Sequence, residues 1–546
     1  MAKPASIAGI GRASAFLASG TMVSRVLGFI KAILIARTIG QVGVSGDAFA
    51  TANILPNTIF TIIAGGVLSA ILVPQIVKAT VHADRGAAYI NKLLTITLSV
   101  LAATTLVAMA AAPLLIKLWA SSYGPEQAAL ATVFALWCLP QLFFYGLYSM
   151  LGEILNAHKI FGPFTWSPAL NNVVAIAGLF VFIGMFGADS QGLRTASEWS
   201  PMMVAVLAGS ATLGVAAQAL ILFRYWKVLG LRFRPDFAWR GVGLAETGKL
   251  AGWSFAMIMV TTAAGIVQSR VVSAASGPDN PSIFALQNAW LIFMLPHSVL
   301  AVSLTTAYFT RMAEHARALD YDKLKLDVSA ALRNVSLMIV ASAAILFTVA
   351  FPFGFLFTGS PSQAIGIGFV IIAFVVGLVP FCFLFVLQRT FYALGDTRTP
   401  FFFTVFQAVL FSVLAAGCLL LDKSLIGFGV ALATSIAGTA QAFVAFFLLR
   451  RRLRGLDVQQ IVNSMAIFTF SAIPATIVGV VSMLLMGGMN TGGWAFSSPI
   501  TAIISMIVAT GVTGGVYLLF LWVLRARELA TITAPFAKIF NRLRRS

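Results

Sequence analysis

Residues 24–40 read SRVLGFIKAILIARTIG, a stretch apolar enough to cross a bilayer that nonetheless carries Arg25, Lys31 and Arg37, spaced six apart. A cation at membrane depth costs from ~2.5 kcal/mol on insertion scales to far more in simulations, and such residues face a protein interior or a water-filled cavity. At about 100° per residue, a six-residue step sends the three cations in three directions from a straight helix. In an expected span of 13–39, Arg25 lies near mid-depth, Lys31 is similarly deep from the other end, and Arg37 is near the outer end. The chain has 17 acidic residues, and in sequence they fall in loops or near span ends. Arg25 and Lys31 are therefore read as lining a water-filled cavity for an anion. Arg37 is read as reaching the outer surface, with Asp47 across the outer turn as an alternative partner.

The rest of the chain is equally apolar. Of its 546 residues 59% are hydrophobic and only 10% are charged, with a mean hydropathy of +0.95. Soluble chains carry about 25% charge. Fourteen hydrophobic segments are expected, at about 13–39, 48–78, 91–118, 127–156, 168–188, 200–226, 248–276, 282–312, 328–355, 364–394, 399–421, 424–449, 461–486 and 499–524. Each is long enough to cross a hydrocarbon core of about 30 Å. No cleavable leader is read at the start, because Arg25 and Lys31 interrupt the first apolar run. The three cysteines and four histidines form no ligand spacing, so no metal, cofactor or catalytic residue is expected.

Net charge is +19. With the N-terminus inside, 29 of the 36 lysines and arginines fall on inner tails and loops and only five at outer positions. That asymmetry follows the positive-inside rule and places both termini in the cytoplasm. It also accounts for the basic balance without nucleic acid.

A weak repeat divides the fourteen segments. FATAN at 49–53 matches FALQN at 284–288, and LNAHKIFGPF at 155–164 matches YALGDTRTPF at 392–401, at offsets of 235 and 237. The fold expected is an all-α polytopic membrane protein of about 14 helices. Two six-helix lobes, 1–230 and 231–455, surround a central cavity, and 456–546 adds helices 13 and 14 and a basic tail. Repeated lobes with a site between them mark several transporter folds.

Other polar residues within the spans are candidates. In GDAFATANILPN, Pro56 frees a backbone group that Asn53 and Asn57, one turn apart, can satisfy unless they touch a ligand. Asn53 and Asn57 join Arg25 and Lys31 as substrate-binding candidates. Asn288 and His297, beside Pro296, are read as gate or structural residues, as are Arg37, Asp47 and Pro56. Asp396 and Arg398 in GDTRTP form either a tight turn or a gate latch.

SRVLGFIKAILIARTIG, DAFATANILPN and FYALGDTRTP together resemble the MurJ (MviN) family of lipid II flippases, in the superfamily of multidrug, oligosaccharidyl-lipid and polysaccharide exporters. The NAWLIFMLP stretch is similar to its actinobacterial members. The resemblance covers the chain and implies a MATE-like fold. It implies transfer of undecaprenyl-diphosphate-linked muropeptide from the inner to the outer leaflet of a bacterial cytoplasmic membrane, in peptidoglycan synthesis. It places the family's first-helix cations on Arg25 and Lys31 and its helix-two acid on Asp47. The chain departs from the family where Phe60 and Thr61 replace an arginine, and where Leu291 and Met294 replace an arginine and a glutamate. Expected partners are lipid II, membrane lipids and cell-wall synthesis proteins, with the chain itself a monomer. The rivals are a polysaccharide-lipid or drug exporter of the same superfamily, a membrane-embedded polyprenyl-phosphate enzyme, and a non-transporting scaffold. A cationic-drug site calls for buried carboxylates, and the enzyme for a cluster of acid, base or metal ligands.

Overall fold

Inside hydrocarbon a backbone must satisfy its own hydrogen bonds, which leaves the apolar segments helix as their default. The computed structural model describes residues 7–64, 87–229, 233–238, 244–277 and 279–529, and among them there is no β-strand. Twelve helical spans among the described residues are long and apolar enough to cross a membrane. They correspond to the third through fourteenth expected segments. The first is also helical, and the second is helical as far as it is described. Its distal part, the loop with Lys78 and Arg85, and the basic tail lie outside the described residues.

By compactness the chain divides into Met1–Pro278 and Asp279–Ser546. The first unit contains α1 (Ile7–Ile39), α2 (Val44–Ile63), α3 (Ala87–Ala110), α4 (Ala112–Trp119), α5 (Pro125–Cys138), α6 (Gln141–Ala157), α7 (Gly162–Phe186), α8 (Pro201–Leu220), α9 (Phe223–Leu229) and α10 (Leu244–Ser273). The second contains α11 (Ile283–Pro296), α12 (Val302–Arg317), α13 (Tyr321–Thr358), α14 (Pro361–Val375), α15 (Leu378–Ala393), α16 (Arg398–Gly417), α17 (Lys423–Arg452), α18 (Val458–Leu485) and α19 (Pro499–Val523).

Several single expected spans prove to be broken helices. α3 gives way to α4 at Ala111, α5 to α6 at Leu139–Pro140, and α14 to α15 at Val376–Gly377. Between α11 and α12 a π-helical turn, His297–Ala301, follows Pro296. Proline and π-turns are the usual causes of such breaks. In the first unit α1 packs on α7, α7 on α8, and α2 on α5 and α6. In the second, α13 is the hub. It is buried along most of its length and touches α14, α15, α18 and α19.

The repeat read from sequence has a local counterpart. α6 ends with Ile160 N donating to Leu155 O (2.9 Å) around Lys159 at φ 63°. α15 ends with Asp396 N donating to Phe391 O (2.9 Å) around Gly395 at φ 71°. Both are the Schellman closure, in which a left-handed residue lets the chain turn back on the last carbonyls.

Candidate functional site

The α1–α2 hairpin carries most of the sequence candidates, and its connecting turn is tied down firmly. Trp199 Nε1 donates to Ser45 Oγ (2.7 Å), which donates to Arg194 O (2.9 Å). Asp189 N donates to Thr38 O (2.9 Å), and the Arg194 guanidinium lies over the rings of Phe182 and Trp199. Gly40, at φ 85°, meets Gly192 so closely that a Cβ there would overlap its backbone. Below this turn α1 rests on α7, where Asn172 Nδ2 donates to Ser24 O (2.9 Å).

On α1 the three cations take different surroundings, as the six-residue spacing requires. Arg25 is exposed and Arg37 is half-buried. Lys31 is half-buried and lines a cavity of about 60 Å³ enclosed by α1, α2, α6, α7 and α8. Lys31 makes no hydrogen bond or ion pair with any described residue. Asn53, Gln141, Tyr145, Asn171 and Ser210 supply the polar lining, and no carboxylate lines it. Three of these residues form a chain. Tyr145 OH donates to Gln141 Oε1 (3.2 Å), and Gln141 Nε2 donates to Asn53 Oδ1 (3.2 Å) and Thr212 Oγ1 (3.1 Å). Asn171 Nδ2 donates to Gln218 Oε1 (2.9 Å). A cation among neutral dipoles, with no acid beside it, is suited to an anionic or polar ligand and ill suited to a cation.

The structure therefore joins Lys31 and Asn53, while Asn57 is exposed and is not part of this lining. Pro56 is buried inside α2, and the hydroxyls of Thr58 and Thr61 donate to Ile54 O and Asn57 O. Asp47 is buried at the start of α2, and its Oδ2 accepts from Ser276 Oγ (2.6 Å), just beyond α10. Gln127 Nε2 donates to the same Ser276 Oγ (2.8 Å), and Thr51 pairs with Tyr123 OH (2.8 Å). Burial first, and then the charge of Asp47, push the Tyr123 hydroxyl well above its ordinary pKa. Gln141, Tyr145, Asn171 and Ser276 were not singled out in the sequence. Their only signal is an amide or hydroxyl inside or beside an apolar run.

In the second unit, His297 is buried between the rings of Phe381 and Phe385, with Nδ1 3.5 Å from Cys382 Sγ. Asn288 is buried in α11. The Asp396 carboxylate accepts from Thr399 N (2.9 Å) and Thr399 Oγ1 (2.7 Å), capping α16 locally, and Arg398 stacks on Phe402. An apolar hollow of about 620 Å³ lies among α15, α17 and α18, lined by residues such as Phe383, Phe443, Met465 and Phe470.

Comparison with known proteins fits this picture. The family model for the lipid II flippase MurJ matches residues 35–505. The chain belongs to the MurJ family. A probable lipid II flippase MurJ from Buchnera aphidicola subsp. Acyrthosiphon pisum is 26% identical over 535 residues, covering 93% of this chain and 96% of the relative. That from Rhizobium tropici is 28% identical over 453 residues, covering 79% of each. Among solved structures, an inward closed conformation of lipid II flippase MurJ superposes with a TM-score of 0.72 at 18% identity, covering 95% of this chain and 99% of that one. An inward-facing multidrug resistance transporter of the MATE family gives 0.63 at 18% identity, covering 79% and 94%. At that identity these two likenesses speak for the fold: the chain is a multi-pass, MATE-like membrane protein.

Proposed function

We propose that this MurJ-family protein moves lipid II from the inner to the outer leaflet of the cytoplasmic membrane by alternating access, and that it acts as a transporter rather than an enzyme. Family membership supports the substrate. The observation that carries the mechanism is Lys31, an unpaired ammonium on a polar, acid-free cavity in a membrane-embedded unit. A diphosphate-sugar headgroup cannot cross hydrocarbon unaided, whereas its polyprenyl tail can stay in it. Lys31 acts as a point charge for phosphate, and exposed Arg25, one face round the helix, offers a bidentate fork. Asn53 and Asn57 are the hydrogen-bonding candidates beside them. The cationic lining disfavours a cationic-drug exporter.

Headgroup translocation in proteoliposomes tests this reading. The wild-type chain is expected to flip a fluorescent lipid II. Lys31→Ala is expected to lose at least tenfold in rate, and Lys31→Arg to keep much of it. Equal rates for wild type and Lys31→Ala would remove the role given to this cavity.

The two lobes are read as 1–230 and 231–455, with 456–546 added to them. The protein is proposed to work as a monomer, alongside cell-wall synthesis proteins. Both termini are placed in the cytoplasm, supported by the 29 cations on the inner tails and loops. A cysteine in place of Arg452 should therefore resist an impermeant thiol reagent on intact cells, and efficient labelling would invert the topology.

A further inference from the structure

The cavity beside Lys31 is more selective than a phosphate site requires. Its internal hydrogen bonds leave polar groups on two of its amides open. Asn53 Oδ1 is taken by Gln141, but Asn53 Nδ2 donates to no described residue. Asn171 Nδ2 is taken by Gln218, but Asn171 Oδ1 accepts nothing among the described residues. That oxygen lies over Gly214, where a Cβ would be only 2.6 Å away, so the glycine makes room for it. The two hydroxyls of the lining spend their protons inside the protein, Tyr145 donating to Gln141 and Ser210 Oγ to Leu207 O (3.0 Å), which leaves them acceptors only. Between them the wall is small and apolar, with Ala175, Ala211 and Val215 on α7 and α8.

An amide donor on Asn53, an amide acceptor on Asn171 and a small apolar wall match a secondary amide: a carbonyl for Asn53 Nδ2, an N–H for Asn171 Oδ1, and a methyl for the alanines. At about 60 Å³ the cavity has room for a substituent of a few heavy atoms. Lys31 on the same lining places that substituent next to a phosphate. A bare metal cation is repelled by the ammonium, and a second carboxylate-bearing group would find only one counter-charge.

We infer that this cavity is a subsite for the acetamido group of the 2-acetamido sugar carried on the diphosphate, with Asn53 and Asn171 as its hydrogen-bond partners. The inference rests on the headgroup reading of Lys31 and adds the feature that separates one sugar from another. Buried polar groups left unpaired by an analogue are what give such sites their discrimination.

Binding of three lipids to the purified full-length chain in nanodiscs tests it: undecaprenyl diphosphate bearing N-acetylglucosamine, the same lipid bearing glucose, and the sugar-free diphosphate. The acetamido lipid should bind about tenfold more tightly than the glucose lipid, the scale of one or two hydrogen bonds. Ala211→Leu, which fills the apolar wall, should erase that preference. Asn171→Leu should reduce it. Equal affinity of the wild type for both sugar lipids overturns the subsite, as does a preference that survives in Ala211→Leu. The wild-type comparison needs no variant to fold. Failure of all three lipids to bind would instead sink the headgroup reading, and this inference with it.

Discussion

At the scale of single residues, charge is legible in a membrane sequence but partnership is not. Lys31 stood out because apolar surroundings make any cation conspicuous, and among the described residues no carboxylate lines its cavity. Its amide neighbours were invisible, because Gln141 on α6 and Asn171 on α7 approach it only through tertiary packing. The same is true of Glu528, which reads in sequence as a loop acid. In the structure it is almost fully buried, with Oε1 2.6 Å from Arg333 Nη1 and accepting from Ser464 Oγ at 2.8 Å, so it ties the segment after α19 to α13 and α18. Burial alone would raise the Glu528 pKa. The hydrogen bonds from Ser464, the backbone and Arg333, with the charge of Arg333, outweigh it and hold the carboxyl below its usual range. Removing one partner of a buried pair leaves the other charge stranded. Glu528→Ala should therefore cost about 3 kcal/mol, read as a fall in the thermal unfolding midpoint in detergent. Because the folded pKa is depressed, the pair's stabilisation is fully present above the unfolded glutamate value and is lost as pH falls through the folded one. The wild type should lose its advantage over Glu528→Gln in that acid window. An advantage that instead disappeared on raising the pH would contradict the assignment.

At the scale of elements, hydropathy located the spans but not their interruptions. A broken helix and an unbroken one bury much the same residues, so the division of one segment into α5 and α6, or α14 and α15, leaves little trace in composition. The helix ends were more legible, through turn chemistry and charge. α6, α12, α15, α17 and α19 all close through a left-handed residue: Lys159, Leu319, Gly395, Arg454 and Arg525. Three of the five are cations at helix C-termini, where the macrodipole favours positive charge. The cost is conformational, since a side chain in this region loses about 1 kcal/mol relative to glycine. Lys159 makes no ion pair with a described residue to offset it. Lys159→Gly should accordingly stabilise the chain by roughly 0.7 kcal/mol, once about 0.3 kcal/mol of lost dipole interaction is deducted. Chemical denaturation in detergent reads this directly, and a lower midpoint would show that the lysine does more than close the helix.

At the scale of the whole molecule, the balance of charge in the cavity bears on what drives transport. An interior-negative potential contributes about 2.3 kcal/mol per charge per 100 mV. In the proposed mechanism, Arg25 and Lys31 around a roughly divalent diphosphate make a nearly neutral loaded state that feels little of this field. The empty state leaves Lys31 without a counter-charge among the described residues, and its reset from outward-open to inward-open moves that charge toward the negative side. One charge crossing half the field at ~100 mV gains about 1 kcal/mol, some sevenfold in the reset equilibrium. The lining of the Lys31 cavity includes no carboxylate to cancel that gain. The potential should therefore act on the return step, and its collapse should hold the protein outward-open, whereas a pH gradient alone should change little. Thr51 gives a site to watch, since it is fully buried at the outer end of α2 beneath Tyr123. In a background with Cys138, Cys382 and Cys418 replaced, Thr51→Cys should label faster with an impermeant thiol reagent after valinomycin and potassium collapse the potential. Unchanged labelling would rule out the charge-return account and shift the coupling to a bound ion.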